Sequence, residues 1–292
     1  MQKFSIIGAN SSLARNFAFF LRNKNVTLNL YDIQDKSFDG LKNYFQTDLQ
    51  DENDIKKIDF DCDAVFIFTG LTGAALSMKE PNRFIDINEK ILIKILDAVK
   101  FKNSKCKIIY PSSRLVYKDG EDKLKETDLL EGKSIYALNK IFAENALKLY
   151  GRLCGINYTV FRIAIPFGEL NPSSNRYGII ANLVEQSKKG EITLFGDGSS
   201  VRTFTHVRNI CEVLYFGAVS PATDNQIFNI GGNAYALIEI ANLICKNYGG
   251  KIVYTPWPDY LEKIEVKNGW LDSAKLNKLI DIDYIDIKDE LM

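Results

Sequence analysis

The chain has 292 residues, with 37 basic and 37 acidic side chains and a formal net charge of zero. Hydrophobic residues make up 46% and charged residues 25%, the composition of a globular protein with chain enough for one large domain or two of ordinary size. The neutral balance argues against nucleic acid or an anionic membrane surface as the main partner, and no apolar stretch approaches the ~18 residues of a membrane span.

The opening MQKFSIIGAN reaches a Gly-Asn turn after three apolar residues, too short for a signal-peptide core, so a cytoplasmic protein is expected. Phe4 to Ile7 reads as a strand, followed by a glycine turn and a helix from about Ser12 to Arg22. Val26 to Tyr31 is a second strand ending at Asp32. Ala64 to Phe68 is an uninterrupted apolar strand, as in a parallel sheet covered on both faces. A long helix is expected from about Asn82 to Lys100, a strand over Lys107 to Tyr110, a helix over Ser134 to Tyr150 and a strand over Tyr158 to Ile165. This alternation predicts an α/β fold, a Rossmann-type doubly wound parallel sheet, over residues 1–166.

The second half changes character. Pro166 to Asn175 is loop-like; then come a helix near Ile179 to Lys189, a short strand over Ile192 to Phe195 and a Gly-Asp-Gly turn at Gly196 to Gly198. Gln226 to Ile230 is a strand able to rejoin the sheet, with the return placed near 200–232, and Ala236 to Tyr248 is a helix. Residues 167–292 are thus expected to form a smaller, partly interleaved substrate region. The five cysteines (Cys62, Cys106, Cys154, Cys211 and Cys245) contain no CxxC pair, so packed thiols are expected rather than a disulfide framework or zinc site. With a single histidine, a multi-histidine metal site is impossible, and no metal is expected.

Gly8-Ala9-Asn10-Ser11-Ser12-Leu13-Ala14 joins the first strand to its helix, where a dinucleotide pyrophosphate rests on backbone N–H groups at a helix N-terminus. Ser11 replaces the middle glycine of a GxxGxxG/A spacing, and a plain strand-to-helix turn is the alternative. Asp32 ends the second strand where a carboxylate holds an adenosine ribose; its charge repels a 2′-phosphate and favours NAD over NADP. Asp48 is either a contact to the adenine edge or a helix N-cap.

Tyr136 and Lys140 form a YxxxK pair. Four helical residues advance ~6 Å and ~400°, so both side chains leave the same face. Free tyrosine titrates near ~10, and a neighbouring ammonium with a positive nicotinamide ring lowers that value. The phenol then serves as general base for an alcohol whose carbon gives up hydride, or as acid in the reverse direction. Tyr110 to Tyr117 (YPSSRLVY) lies just before, at a strand end where ligands bind in such sheets. Ser113 is placed there to hold the reacting oxygen against Tyr136. A turn serine and a half-buried helix tyrosine are the bland alternatives.

With these residues in view, the chain resembles extended short-chain dehydrogenases of the NAD-dependent epimerase/dehydratase family. Asp63 to Gly70 is similar to the family's strand and turn beside the cofactor. Asn88 falls at the usual helix asparagine, and Phe161 to Gly168 resembles the strand into the substrate region. Phe195-Gly196-Asp197-Gly198 through Arg202 to Val207 is similar to its DGxxxRxFxHV segment, and Phe228 to Gly231 also fits. The resemblance implies NAD held by Gly8, Asn10, Ser11, Ser12, Leu13 and Asp32, by Asp48 and Leu49, by Phe68, Thr69 and Gly70, and by Tyr136, Lys140 and Ile165. It implies a nucleotide-diphosphate sugar against Thr72, Ser113, Arg114, Tyr177, Phe195, Arg202 and Asp272, with Arg202 paired to the pyrophosphate. Phe195 is equally suited to core packing and Asp272 to capping a helix, and His206 is expected to be structural.

Departures from the family patterns narrow the reaction. Sugar 4,6-dehydratases carry Asp-Glu after the catalytic Ser/Thr, where this chain has Arg114 and Leu115. Neither Cys106 nor His206 suits a 3,5-epimerase pair. Ser113, Tyr136 and Lys140 suffice for chemistry at one carbon, giving a 4-epimerase that oxidises C4 transiently. The alternatives are a 4-keto-sugar reductase or C4 dehydrogenase, to which the short chain and Ile165 in place of asparagine point modestly, and a non-catalytic NAD sensor. Surplus apolar residues on the helices Asn82 to Lys100 (Phe84, Ile91, Leu92, Ile95) and Ser134 to Tyr150 (Ile135, Leu138, Phe142, Leu147) predict a four-helix homodimer interface, burial under the C-terminal region being the alternative.

Overall fold

The computed structural model describes residues 1–120, 122–174, 178–267 and 269–291. The chain opens with β1 (Gln2–Ile7), α1 (Ser12–Phe20), β2 (Val26–Asp32), β3 (Tyr44–Gln46) and α2 (Glu52–Lys57). There follow β4 (Ala64–Ile67), α3 (Ala74–Lys79), α4 (Pro81–Ile85), α5 (Ile91–Phe101), β5 (Lys107–Ser113), α6 (Ile135–Cys154) and β6 (Tyr158–Ile163). The remainder supplies β7 (Ile165–Phe167), α7 (Ile179–Lys188), β8 (Glu191–Phe195), β9 (Val201–His206), α8 (Val207–Val219), β10 (Gln226–Asn229), β11 (Asn233–Ala236), α9 (Leu237–Tyr248), β12 (Lys251–Thr255) and α10 (Asp259–Ile264).

Seven strands form one sheet in the order β10-β6-β5-β4-β1-β2-β3, parallel throughout. Alternation along each strand sends side chains to two cores. Val65, Ile67, Ile108 and Val160 pack under α5 and α6 through Ile91, Leu92, Ile95 and Leu147. Phe4, Phe66, Ile109, Phe161 and Phe228 pack under α1 and α8 through Phe17, Ile210 and Leu214. Both faces are buried, which is why the central strands read as continuous apolar runs. Winding reverses between β1 and β4, and the crevice beyond their carboxyl ends is the natural ligand position of such a sheet.

The later chain builds a cap of two small sheets, β11-β9-β7 and β12-β8, over a third core containing Phe167, Leu183, Val184, Ile192, Leu194, Ile240 and Ile244. β10 returns to the large sheet beside β6, in the register Phe228↔Phe161.

Three elements differ from the sequence reading. The helix expected over Asn82 to Lys100 is interrupted between α4 and α5 by a π turn over Asp86–Lys90, a feature frequent at functional sites. It carries Asn88, whose Oδ1 accepts the Leu71 N–H at 2.7 Å and whose Nδ2 donates to Leu71 O at 3.0 Å, fixing the loop after β4. The strand expected over Tyr158 to Ile165 divides at Ala164: β6 ends in the large sheet, and β7 leaves to pair with β9 at Ile165↔Phe204. Pro166 is tolerated there because β7 is an edge strand. The first helix ends at Phe20 and tightens into a 3-10 turn over Leu21–Asn23.

Candidate active site

The carboxyl ends of the central strands open into a cleft of about 680 Å³. Of the residues expected at a site, Ser11, Ser12, Leu13, Phe68, Thr69, Gly70 and Thr72 line it from the β1 and β4 side. Ser113, Arg114, Tyr136, Lys140, Ile165 and Arg202 line it from the other.

The turn after β1 is dictated by close packing. Gly8 has φ +83, and a Cβ on it would stand 2.5 Å from Thr69 N, so no other residue fits. Ser11 is the N-cap of α1, its Oγ accepting the Ala14 N–H at 3.4 Å. The amides of Ser12 and Leu13 sit in the first helical turn, where no preceding turn offers an acceptor. Asp32 accepts the Asn10 N–H at 2.9 Å and the Gln34 N–H at 3.2 Å, clamping the end of β2 to the turn. Asn10 uses its side chain on Lys36 O, Tyr44 Oη and the Phe38 N–H. Gly8, Asn10 and Asp32 thus shape the turn whose next residues, Ser11 to Leu13, line the cleft. Asp48 accepts the Gln50 N–H at 2.9 Å in a turn before α2, whose N-cap is Asp51 rather than Asp48. Leu49 is buried in the α5 core.

Ser113 ends β5, its Oγ accepting the Leu115 N–H at 3.2 Å. Ser134 caps α6 through the Ala137 N–H at 3.2 Å, which places Tyr136 in the first turn and Lys140 one turn later on the same face. Lys140 Nζ donates to Pro111 O at 2.7 Å and to Tyr110 Oη at 3.2 Å, and lies 5.8 Å from the Tyr136 ring centroid. Burial pushes the Lys140 ammonium down to about 8, against the opposing charge of Glu144. Pro111 lies beyond the last β4 partner of β5, where its missing N–H removes no ladder bond on that side.

Sequence reasoning missed the support behind this pair. Glu144, one further turn along α6, accepts from Ser112 Oγ at 2.6 Å and from Arg162 Nε and Nη2 at 3.0 and 2.6 Å. Arg162 Nη1 donates to Tyr117 Oη at 2.7 Å, and Tyr117 donates to Asn229 Oδ1 at 2.7 Å. This closed, buried chain joins β5, α6, β6 and β10. Its one sequence signal is the continuation of the Tyr-Lys spacing by a glutamate, YxxxKxxxE.

Arg202, on β9, is 4% exposed, yet among the described residues its Nε and Nη2 have no hydrogen-bond partner; Nη2 has a charge contact at 3.4 Å with Glu265. Burial, then the neighbouring Arg114, pull its guanidinium down to about 10. Arg114 donates to Val266 O at 3.0 Å and Glu265 Oε1 at 2.9 Å. Two further expected substrate contacts have protein partners of their own. Phe195 packs on Trp257 with centroids 5.2 Å apart, and the Asp272 carboxylate accepts the Ala274 N–H at 2.7 Å, bracing the turn into the next helix. Tyr177 lies outside the described residues. His206 caps α8, its Nδ1 accepting the Arg208 N–H at 3.1 Å. Burial holds it neutral, with a pKa of about 4, and a Cβ on Gly168 would come within 2.2 Å of its ring.

The NAD dependent epimerase/dehydratase family profile matches residues 5–231. Among curated relatives, a CDP-paratose 2-epimerase of Salmonella typhi is 26% identical, covering 83% of each chain. A UDP-glucuronate 4-epimerase of Thermodesulfobacterium geofontis is 26% identical over 88% of this chain and 75% of its own. Among solved structures, a UDP-glucuronic acid 4-epimerase from Bacillus cereus superposes with a TM-score of 0.87 at 20% identity, over 99% of this chain and 96% of that one.

Proposed function

We propose that this chain, which belongs to the NAD dependent epimerase/dehydratase family, is a nucleotide-sugar 4-epimerase working through Ser113, Tyr136 and Lys140. The observation that carries the reading is one cleft lined by this trio and by a buried arginine with donors that no described residue fills.

The residues present fit NAD. The turn after β1 packs too closely on Thr69 for any Cβ at Gly8, and it delivers the first amides of α1 and the Ser11 hydroxyl to one end of the cleft, the arrangement that receives a pyrophosphate. Asp32, at the end of β2, is the ribose acceptor. NAD, when bound, supplies the hydride acceptor and donor.

The chain's own residues handle the proton. Lys140, fixed by Pro111 O, holds positive charge near the Tyr136 ring and favours the phenolate. Tyr136 accepts the proton of the sugar C4 hydroxyl while Ser113 donates to the same oxygen. Tyr136 returns that proton after the sugar has turned its other face. Arg202 grips the diphosphate, giving its buried donors the acceptors they lack. With Arg114 and Leu115 after Ser113, no carboxylate pair is present for dehydration at further carbons.

The named relatives include a 2-epimerase and a 4-epimerase, so the carbon is tested directly. Purified protein is incubated with UDP-, CDP-, dTDP- and GDP-sugars and the products resolved by NMR. C4 isomers formed without added NAD are expected. Stoichiometric change in the reduced-nicotinamide absorbance makes the protein a reductase or dehydrogenase, and inversion at another carbon overturns the position. We also propose a homodimer through α5 and α6. Most apolar residues of α5 are buried within the protomer, but Phe101, Leu138, Leu149 and Leu153 remain 92, 46, 43 and 69% exposed. A monomer in sedimentation at micromolar concentration contradicts it.

A further inference from the structure

We infer that Arg114 is a second guanidinium for the substrate diphosphate and that Glu265 is the carboxylate holding its place until substrate arrives. The inference rests on the nucleotide-sugar reading above.

Arg114 follows Ser113 directly, in the 3-10 turn Arg114–Val116 at the end of β5. Its side chain lines the same cleft as Arg202, and both are buried, at 6 and 4% exposure. Two guanidiniums so placed repel one another and together present ten N–H donors. They share one carboxylate oxygen: Glu265 Oε1 is 2.9 Å from Arg114 Nη2 and 3.4 Å from Arg202 Nη2. Arg202 Nε and Nη2 receive no hydrogen-bond acceptor from the described residues. Buried charged donors left in this state cost stability unless a ligand fills them. Glu265 is the carboxylate that touches both guanidiniums; Asp119 also acts on Arg202 through space but is paired with Lys133, whereas a diphosphate brings more charge and more acceptor oxygens to the two arginines.

Glu265 is suited to leave. Its side chain keeps 23% exposure, and it follows the short helix α10 rather than lying within a sheet. Once it turns outward, Arg114 keeps its anchor on Val266 O and retains Nη2 for the incoming anion.

The competing explanation is that Arg114 only ties down the 265–266 segment. Calorimetric titration with UDP, CDP, dTDP, GDP and ADP separates the two. For whichever diphosphate binds the unaltered protein, Glu265→Gln is expected to bind at least fivefold tighter. Arg114→Met is expected to bind at least fivefold weaker, and the double variant at least fivefold weaker than Glu265→Gln alone. Equal binding by Glu265→Gln and the double variant overturns the role of Arg114. Unchanged or weaker binding by Glu265→Gln overturns that of Glu265. Should the Arg114→Met protein not fold, Arg114→Lys in the Glu265→Gln background makes the same comparison: weaker binding than Glu265→Gln upholds the inference and equal binding overturns it. If no nucleoside diphosphate binds either the unaltered protein or Glu265→Gln, the nucleotide-sugar reading itself has failed.

Discussion

Two stretches of the cleft wall, the closed side behind Tyr136 and the open side at Arg202, are built on opposite principles. Behind Tyr136 and Lys140, the polar groups of Ser112, Glu144, Arg162, Tyr117 and Asn229 find partners in one another. On the β9 stretch of the same wall, Arg202 is as deeply buried but keeps donors that no described residue fills. A closed network fixes geometry before any ligand arrives, whereas an open one is completed by the ligand. The chain thus spends its polar satisfaction where atoms must be held for proton transfer, and withholds it where an anion must be drawn in.

The largest effect should come from breaking the closed side. Arg162→Met strands the buried Glu144 carboxylate, and loss of one partner of such a pair costs about 3–5 kcal/mol. Urea denaturation should show that loss, and a change below about 1 kcal/mol would mean that the network is not structural.

Lys140→Met comes next. Turnover should fall by about 10²–10⁴-fold, the range of general acid–base contributions, while melting temperature stays level or rises at neutral pH. The sign follows from burial. The Lys140 pKa falls from 10.5 to about 8 on folding, so the unfolded chain binds the extra proton between these values. This group's penalty is present in full below about 8 and is relieved as pH rises through that window. The variant should lose that upward slope in stability. In the unaltered enzyme kcat/KM should decline above about pH 8 as the ammonium is lost; a flat profile to pH 10 would separate lysine charge from turnover.

On the open side, Arg202→Met should raise KM by about 10–100-fold, matching ~1.5–3 kcal/mol for hydrogen bonds to charged groups, with kcat less affected. A fall in kcat alone would place Arg202 in the chemistry instead. The smallest effect should be that of His206→Asn. The ring acts as a neutral N-cap and asparagine caps equally well, so stability should change by less than ~1 kcal/mol and turnover should persist.

The closed side was also the more legible in sequence. Tyr136, Lys140 and Ser113 are marked by spacing along one helix and one strand end, and the sheet by its apolar runs. Glu144 escaped notice because a buried glutamate on a helix reads like any solvated one until Arg162, on a neighbouring strand, is brought against it. The π turn at Asn88 was invisible because the apolar residues around it keep helical spacing. Phe195 and Asp272 were marked by motif position alone; their contacts with Trp257 and with the Ala274 N–H had no sequence signal. Glu265 had no motif at all; it becomes meaningful only once the chain beyond α10 folds back on Arg114.

The measurement that bears most directly on the account is turnover of the identified nucleotide sugar by Tyr136→Phe, alongside NAD affinity of the same variant. The account predicts a loss of at least 10²-fold in kcat, as expected for removal of a general base, with NAD binding essentially retained. Undiminished turnover by the variant would contradict it.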